Sequence, residues 1–218
     1  MKEKAIVDLR IYTMRPGGIP EFLRLARSIV LPVQLRHIGP PIAYYVTDIG
    51  PQEEVIHLWG YDSLGDMQTR REARNLDPDW PQYAQESAGL IEAQVTTLVN
   101  RVALSMPAEA VAASANKPLV EMRTTTVRRG SMAQMLALFQ QQALPLQLRH
   151  IGAPLGLYVS DIGHINQLIQ LWGFDNYADM EARRALREQE PAWSQYKKAL
   201  EPLVLAENTR TVRRVHKL

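Results

Sequence analysis

Residues 57–83 read HLWGYDSLGDMQTRREARNLDPDWPQY, and residues 170–196 read QLWGFDNYADMEARRALREQEPAWSQY. Both segments contain Leu-Trp-Gly, Asp, Asp-Met, Arg-Arg, Arg, Pro-x-Trp and Gln-Tyr at a constant offset of 113 residues. At that offset the match extends without a gap to Val7–Val102 against Val120–Val215, with 41 identities in 96 positions. Self-similarity on this scale indicates a tandem duplication, so the chain consists of two related repeats.

The composition predicts a soluble globular protein. The chain has 218 residues, 46% of them hydrophobic, and a net charge of +2 with dispersed basic residues, which disfavours a nucleic-acid partner. No apolar run approaches the roughly 18 residues of a membrane span, and a strand pattern begins too close to Met1 for a signal peptide. The absence of cysteine excludes disulfides and thiol catalysis and suits a reducing compartment, so we expect a cytoplasmic protein.

Each repeat is predicted to have the order β-α-β-β-α-β of a ferredoxin-like unit. Alternating β-branched and aromatic residues indicate strands, helical spacing of apolar residues indicates helices, and Gly and Pro mark turns. The elements predicted for the first repeat are strand Ile6–Met14, a helix from Pro20 in which Pro32 causes a kink or begins a second short helix, strands Tyr44–Ile49 and Val55–Tyr61, helix Leu64–Arg74 capped by Asp62, a short helix from Pro78 to Tyr83, and strand Ala93–Val102. We place the first repeat at 1–103, an Ala-rich linker at 104–117 and the second repeat at 118–218.

The third strand of each repeat predicts how the repeats pack. Side chains alternate along a strand, so one face carries Val55, His57, Trp59 and Tyr61, and the other carries Ile56 and Leu58. Both faces are too apolar for water, so we expect helices to cover one face and the sheet of the other repeat to cover the second. The predicted fold class is α+β, with two tandem ferredoxin-like repeats packed sheet to sheet as a pseudo-dimeric α+β barrel within one chain.

Four motifs recur in order in both repeats. They are D/E-x-R at Asp8–Arg10 and Glu121–Arg123, T/S-D-I-G at Thr47–Gly50 and Ser160–Gly163, H/Q-L-W-G-Y/F-D at 57–62 and 170–175, and the R-R…P-x-W-x-x-Y run that follows. Together they resemble the NIPSNAP family over nearly the whole chain. The resemblance implies the dimeric α+β barrel fold shared with antibiotic-biosynthesis monooxygenases, here formed by one chain. It implies no particular activity, and no catalytic residue is carried over from it.

His57 is the first candidate for chemistry. A histidine beside aromatic side chains in a cavity could act as a base near neutral pH, with Arg10 or Tyr12 stabilising an oxyanion. The residues predicted to line the same ligand pocket are Trp59, Tyr61 and Tyr44. The alternatives are a core histidine satisfied by hydrogen bonds and, for Arg10, a salt bridge with Asp8 at the strand surface.

The repeats differ at these candidate positions. Tyr12, Tyr44, His57 and Tyr61 correspond to Thr125, Leu157, Gln170 and Phe174. One interpretation is a pocket that persists in the first repeat and has been lost or retuned in the second, and the other is neutral drift. By contrast, the block Gln34–Gly39 is identical to Gln147–Gly152, which favours a structural helix end closed by a left-handed glycine.

Metal and cofactor signals are weak. Histidines 37, 57, 150, 164 and 216 lack metal-ligand spacing, and there is no phosphate loop, nucleophile elbow or dinucleotide fingerprint. We therefore predict no metal and no cofactor. Haem is left open only because distant relatives of the barrel fold bind it.

Two functions from different classes remain. The first is binding of a small apolar or aromatic metabolite in the first repeat, with cofactor-free proton-transfer, isomerase or monooxygenase-type chemistry as an extension that leaves enzyme status open. The second is a non-catalytic module that presents an arginine-rich outer helical face to a protein partner, through Arg70, Arg71, Arg183 and Arg184. A further homo-oligomer is compatible with either function.

Overall fold

Residues 4–215 are described by the computed structural model, and they divide into two units. The described residues up to Asn100, together with Arg214 and Val215, form the first unit, and Arg101–Arg213 form the second. His216, one of the histidines weighed as a metal ligand, lies outside the described residues. Within the described range, no helix combines the length and the apolar character needed to cross a membrane.

The first unit has the predicted order of elements. Its elements are β1 (Ile6–Met14), α1 (Ile19–Leu25), a π-helical segment (Ala26–Val30), α2 (Leu31–His37), β2 (Ala43–Ile49), β3 (Glu54–Tyr61), α3 (Leu64–Asn75), α4 (Trp80–Ser87) and β4 (Ile91–Arg101). A short helix, α5 (Ala108–Ser114), follows in the segment predicted as a linker.

The second unit repeats this order. Its elements are β5 (Leu119–Val127), α6 (Met132–Leu138), a π-helical segment (Phe139–Ala143), α7 (Leu144–His150), β6 (Pro154–Ile162), β7 (Gln167–Phe174), α8 (Tyr177–Glu188), α9 (Pro191–Leu200) and β8 (Val204–Arg214). The fold class is therefore mixed α+β, as predicted.

Antiparallel pairing gives each unit a four-stranded sheet. In the first unit the order is β4-β1-β3-β2, with Arg10 opposite His57 on one side and Tyr44 opposite His57 on the other. In the second unit the order is β8-β5-β7-β6, with Arg123 and Leu157 flanking Gln170 in the same register. Directly opposed side chains on one face of a sheet lie close together. The register therefore gathers the candidate site residues around position 57.

The helices of the first unit cover the sheet face that carries His57. Tyr12, Tyr44, Trp59 and Tyr61 belong to one buried cluster with Phe22 and other side chains of α1, the π-helical segment and α2. The opposite face is buried as well, because Ile56 and Leu58 expose 0% and 1% of their surfaces. The prediction that neither face of the third strand meets water is confirmed.

A proline is the second residue after the end of each π-helical segment. Pro32 and Pro145 occupy the second positions of α2 and α7. Proline has no backbone N–H, so it cannot continue the preceding helical ladder, and a wider π turn absorbs the interruption. Of the two outcomes predicted at Pro32, a kink or a second short helix, the structure has the second, because α2 begins at Leu31 with Pro32 in its first turn. Val30, from the π turn before it, lines the candidate pocket.

The cap predicted for α3 was wrong by one residue. Ser63 is the N-cap, and its Oγ accepts a hydrogen bond from the Asp66 N–H at 3.0 Å. The carboxylate of Asp66 in turn accepts from the N–H of Asp62 at 3.0 Å. The arrangement resembles a capping box, except that the Asp66 carboxylate accepts from the residue before the N-cap, so Asp62 contributes its backbone rather than its side chain.

Candidate functional site

His57 is fixed by a hydrogen bond from its strand neighbour Trp59. The indole Nε1–H donates to Nδ1 of the imidazole at 2.7 Å, and both side chains are buried. Because Nδ1 accepts this bond, the proton of the neutral ring is assigned to Nε2. Nε2 is buried and has no hydrogen-bond partner among the described residues.

The imidazole is packed between two tyrosine rings. Tyr44 stacks on it with 4.9 Å between centroids and an interplanar angle of 10°, and Tyr12 meets it edge-on at 4.7 Å. Burial, and to a smaller extent the charge of Arg10, holds the pKa of His57 well below its usual value of 6.5. The ring is therefore neutral at physiological pH.

Arg10 forms the predicted ion pair with Asp8, but the pair is buried rather than at the surface. Nε of Arg10 donates to the Asp8 carboxylate at 2.8 Å, and the Asp8 side chain is fully buried. Nη1 of Arg10 also donates to the hydroxyl of Tyr12 at 3.1 Å. The surface location considered for this pair was wrong, because Arg71 from α3 closes over the same carboxylate.

A cavity of about 30 Å³ lies between this strand face and the helices of the first unit. Four predicted site residues line it: Arg10, Tyr12, Tyr44 and His57. The cavity holds one or two water-sized molecules, since about 10–15 Å³ suffices for one water. A larger ligand would have to displace a tyrosine ring.

Two of the predicted pocket residues do not reach this cavity. Trp59 is buried and orients His57, and Tyr61 is buried with its ring 6.0 Å from the Arg71 guanidinium. The helices instead contribute Phe22, Val30, Gln34, Trp80 and Tyr83 to the wall. Oε1 of Gln34 is buried and, within residues 4–215, unpartnered. The only sequence signal for Gln34 was its place in the block that is identical in both repeats.

The second unit has a larger cavity at the equivalent place. Its volume is about 250 Å³, and Arg123, Thr125, Gln147, Gln170, Trp193 and Tyr196 line it at the positions of Arg10, Tyr12, Gln34, His57, Trp80 and Tyr83. Nε1 of Trp172 donates to Oε1 of Gln170 at 3.2 Å, as Trp59 does to His57. Equivalent positions therefore line the pocket in both units, and the side chains at several of these positions differ.

The arginines of the outer helices bind groups of their own units. Arg70 contacts Asp66 and the carbonyl of Ile38, and Arg183 makes the equivalent contacts with Asp179 and Ile151. The neighbouring arginines reach strand carboxylates, as Arg71 binds Asp8 and Arg184 binds Glu121. Arg71 and Arg184 thus tie helix to strand within each unit, and Arg70 and Arg183 tie α3 and α8 to the ends of α2 and α7.

The identical blocks end their helices as predicted, and their histidines bind carboxylates. Gly39 and Gly152 have φ angles of +100° and +108°, the left-handed region that favours glycine. Nε2 of His37 lies 2.7 Å from Asp77, and Nε2 of His150 lies 2.8 Å from Glu190. Bonds from Arg36 and His37 hold the pKa of Asp77 below its usual range. These histidines therefore anchor the loop before α4 and α9.

Among residues 4–215, no group of three or more histidine, aspartate and glutamate side chains is arranged to hold a metal ion. The residues present in the first-unit pocket are hydrogen-bonding and aromatic groups. Its chemistry is therefore that of hydrogen bonding and stacking.

Comparison with known proteins agrees with the sequence motifs. The NIPSNAP family model matches residues 7–106 and again residues 120–216. Protein NipSnap homolog of Dictyostelium discoideum is 23% identical over 190 residues, covering 86% of this chain and 78% of the relative.

Two solved structures are among those similar to this chain. A NIPSNAP family protein of Agrobacterium tumefaciens C58 is 36% identical and covers 48% of this chain and 92% of its own, with a TM-score of 0.45. An anthrone oxidase-like protein is 12% identical and covers 100% of this chain and 96% of its own, with a TM-score of 0.67. At that identity the second likeness is one of fold alone.

Proposed function

The chain belongs to the NIPSNAP family, and from that premise we propose that its first unit binds a small molecule through a hydrogen-bond acceptor, such as a carbonyl oxygen, at the pocket beside His57. The observation that carries this proposal is the buried Nε2–H of His57, which is unpartnered among the described residues and belongs to a side chain that lines the cavity. A buried donor without a partner is costly, by about 1–3 kcal/mol, so a ligand that accepts its bond gains that energy.

His57 acts in this proposal as a donor and not as a base. The bond from Trp59 occupies Nδ1, and the depressed pKa disfavours protonation of the ring. No carboxylate is present among the described residues that line the cavity. Binding is thus the better-supported function, because isomerase chemistry would require a base, and monooxygenase-type chemistry would require a base and dioxygen as a co-substrate. Catalysis therefore remains an extension of the proposal.

The size of the ligand depends on Tyr12 and Tyr44. With both rings in place the cavity admits only water-sized molecules, whereas the second unit, with threonine and leucine at these positions, encloses about 250 Å³. A small monocyclic ketone would bind by displacing one ring and stacking in its place. The π-helical segment beside the pocket supports such adaptability, because π turns frequently occur at functional sites.

The alternative function, a protein-interaction module built on the outer arginines, has less support. Each of Arg70, Arg71, Arg183 and Arg184 already binds a carboxylate of its own unit. Recognition of an acidic partner would have to compete with these bonds. The absence of cysteine supports a cytoplasmic location as part of the proposal.

The ligand proposal is tested with a matched pair of probes. Acetophenone carries a carbonyl acceptor, and cumene has nearly the same shape without it. Calorimetry on the full chain should show tighter binding of acetophenone, by about tenfold, which corresponds to ~1.4 kcal/mol for one hydrogen bond. The variant His57→Phe, which keeps a ring but removes the donor, should abolish the preference.

The matched control is His164→Phe, the same substitution at an exposed histidine. It should leave the preference unchanged. Because His57→Phe leaves the Trp59 N–H without an acceptor, His57→Gln is measured alongside: Gln170 shows that a glutamine there accepts the indole bond. Equal affinity for both probes in the wild type, or a preference that survives in His57→Phe, would refute the proposal.

A further inference from the structure

The larger cavity, in the second unit, is lined by buried polar side chains and by partly exposed charged ones. Arg187, Gln147, Gln170 and Thr125 are all at least 95% buried. The carboxylates that line it, Glu188 and Glu207, are each 44% exposed at the side chain, and Lys197 is 55% exposed. The deep wall therefore carries guanidinium, amide and hydroxyl groups. The partly exposed Glu207 accepts a hydrogen bond from Thr125 at 3.4 Å and lies 3.7 Å from Arg123.

Three substitutions between the repeats replace rings of the first-unit pocket with shorter, non-aromatic side chains. Tyr12, Tyr44 and His57 fill the pocket of the first unit with rings, and Thr125, Leu157 and Gln170 stand at the same strand positions in the second. The register of the strands is unchanged, so shorter side chains leave space rather than collapse the sheet. The cavity of about 250 Å³ exceeds the ~150 Å³ that suffices to bind benzene in an engineered protein.

Arg187 is the least satisfied cation of this wall. Its Nη1 donates to Oε1 of Gln147 and its Nη2 to the half-exposed Glu188, each at 3.1 Å. Its guanidinium lies 4.1 Å from the centre of the Trp193 ring, and its Nε is buried with no hydrogen-bond partner in the described chain. Burial lowers the pKa of Arg187, and the charge of Arg123 lowers it further. An anion beside the guanidinium would compensate its charge and raise the pKa of Arg187 again.

Arg123 stands opposite Gln170 on the neighbouring strand and lines the same cavity. Its Nη2 donates to Glu121 at 2.7 Å, but that carboxylate is shared with Arg184. Three cationic side chains line the cavity against two carboxylates, so the lining carries a net positive charge. Glu207 lies 3.7 Å from Arg123, and Glu188 pairs with both Arg187 and Lys197.

The apolar part of the wall fits a flat ring. Phe139 and Trp193 are buried aromatic residues, and Met135 and Leu200 complete this side. We propose that the second unit binds a small aromatic carboxylate, about the size of benzoate, with its carboxylate between Arg123 and Arg187 and its ring against Phe139 and Trp193. Guanidinium groups bind carboxylates through paired N–H donors, and aromatic side chains stack on the ring.

This site is separate from the pocket beside His57, and its test uses different probes. Benzoate and benzamide have almost the same shape and differ in charge. In calorimetry on the full chain, benzoate should bind at least about tenfold more tightly than benzamide. The variant Arg187→Gln should bring the two affinities close together, because it removes the buried cation and keeps a hydrogen-bonding side chain.

Thr125→Tyr localises the binding to the second unit. It places the first unit's own residue at the equivalent position, so the fold is known to accept a tyrosine there. We expect the affinity for benzoate to fall at least about tenfold, with acetophenone binding in the first unit retained. The matched control is Thr69→Tyr, the same substitution at an exposed position of α3, which should change nothing.

Three outcomes would overturn the proposal. They are no detectable heat with benzoate at about 10 mM, equal affinities for benzoate and benzamide in the wild type, and undiminished benzoate binding in Thr125→Tyr. A melting temperature of Thr125→Tyr within a few degrees of the wild type excludes unfolding as the cause of lost binding.

Discussion

The indole of Trp59 donates its hydrogen bond to Nδ1 of His57 at 2.7 Å, and this one bond sets the chemistry of the first-unit pocket. It fixes the imidazole as a neutral donor through Nε2. In the second unit Trp172 makes the same bond to the amide oxygen of Gln170 at 3.2 Å. The tryptophan is thus a constant donor in both units, and the residue that accepts its bond differs between them.

Trp59→Phe should allow His57 to adopt either neutral tautomer. Without the indole N–H, Nδ1 no longer has to accept, so the ring proton can occupy either nitrogen. Nitrogen-15 chemical shifts of the imidazole should change from one protonated nitrogen to an average of both forms. The smaller ring should also lower the free energy of unfolding by about 1–3 kcal/mol.

The control for this variant is Trp172→Phe, which removes the equivalent donor from the second unit. It should destabilise to a similar extent and leave the His57 shifts unchanged. Unaltered His57 shifts in Trp59→Phe would show that another group holds the tautomer.

Stability should decrease with falling pH because of His57. Its pKa is below 6.5 in the folded protein and near 6.5 in the unfolded chain. Between these two values the unfolded chain binds a proton that the folded one does not, so the free energy of unfolding falls by up to about 1.4 kcal/mol per pH unit as the pH drops below 6.5. Denaturant unfolding between pH 5 and 7 measures this slope.

His57→Gln has no titrating ring and should lack that part of the slope. The comparison is restricted to pH 5 and above, because carboxylates titrate below it. A slope that is the same in wild type and variant would show that the folded and unfolded pKa values of His57 do not differ.

Tyr12→Thr should open the first-unit cavity. This substitution copies Thr125 of the second unit, where the cavity is about 250 Å³ instead of about 30 Å³. It also removes the hydroxyl that accepts from Arg10 at 3.1 Å. We expect a loss of about 3–5 kcal/mol in stability and tighter binding of acetophenone, because no ring has to be displaced. Unchanged or weaker acetophenone binding in a folded variant would contradict this role of Tyr12.

Glu121→Gln should be strongly destabilising. The Glu121 carboxylate is 2% exposed and binds Arg123 at 2.7 Å and Arg184 at 2.6 Å. Burial alone would raise its pKa, but the charges of Arg123 and Arg184 prevail and lower it. Removing the charge leaves two arginines without their carboxylate, which is expected to cost about 3–5 kcal/mol.

This contribution should also depend on pH. Because the folded pKa lies below the unfolded value of about 4.5, the stabilisation is present above pH 4.5 and is lost as the pH falls through the folded pKa. Glu109→Gln, at an exposed glutamate of α5, is the control and should have little effect. A loss below about 1 kcal/mol in Glu121→Gln would show that the pair is only a weak surface-type interaction.

Local sequence patterns predicted the strands closely. Val55–Tyr61 was predicted and Glu54–Tyr61 observed, since alternating apolar residues between turn signals leave little choice of register. Helix starts were less exact: Pro78 lies in a turn, and α4 begins at Trp80. A proline fits both a turn and a helix start, so the sequence alone does not separate them.

The candidate site was predictable only on its sheet side. Strand alternation placed Arg10, Tyr12, Tyr44 and His57 on one face, and pairing brought them together. Gln34, Trp80 and Tyr83 come from helices, and their approach depends on how those helices pack onto the sheet. The volumes of the two cavities also depend on this packing. The sequence therefore showed the difference between the repeats without showing that the second pocket is the larger one.

The most direct test of the central claim is a long-range proton–nitrogen spectrum of His57 recorded at neutral pH with and without acetophenone. We predict a protonated Nε2, an unprotonated Nδ1, and an Nε2–H resonance that moves on addition of acetophenone and not of cumene. A ring protonated on Nδ1 or on both nitrogens, or an Nε2–H resonance that acetophenone leaves in place, would contradict the account.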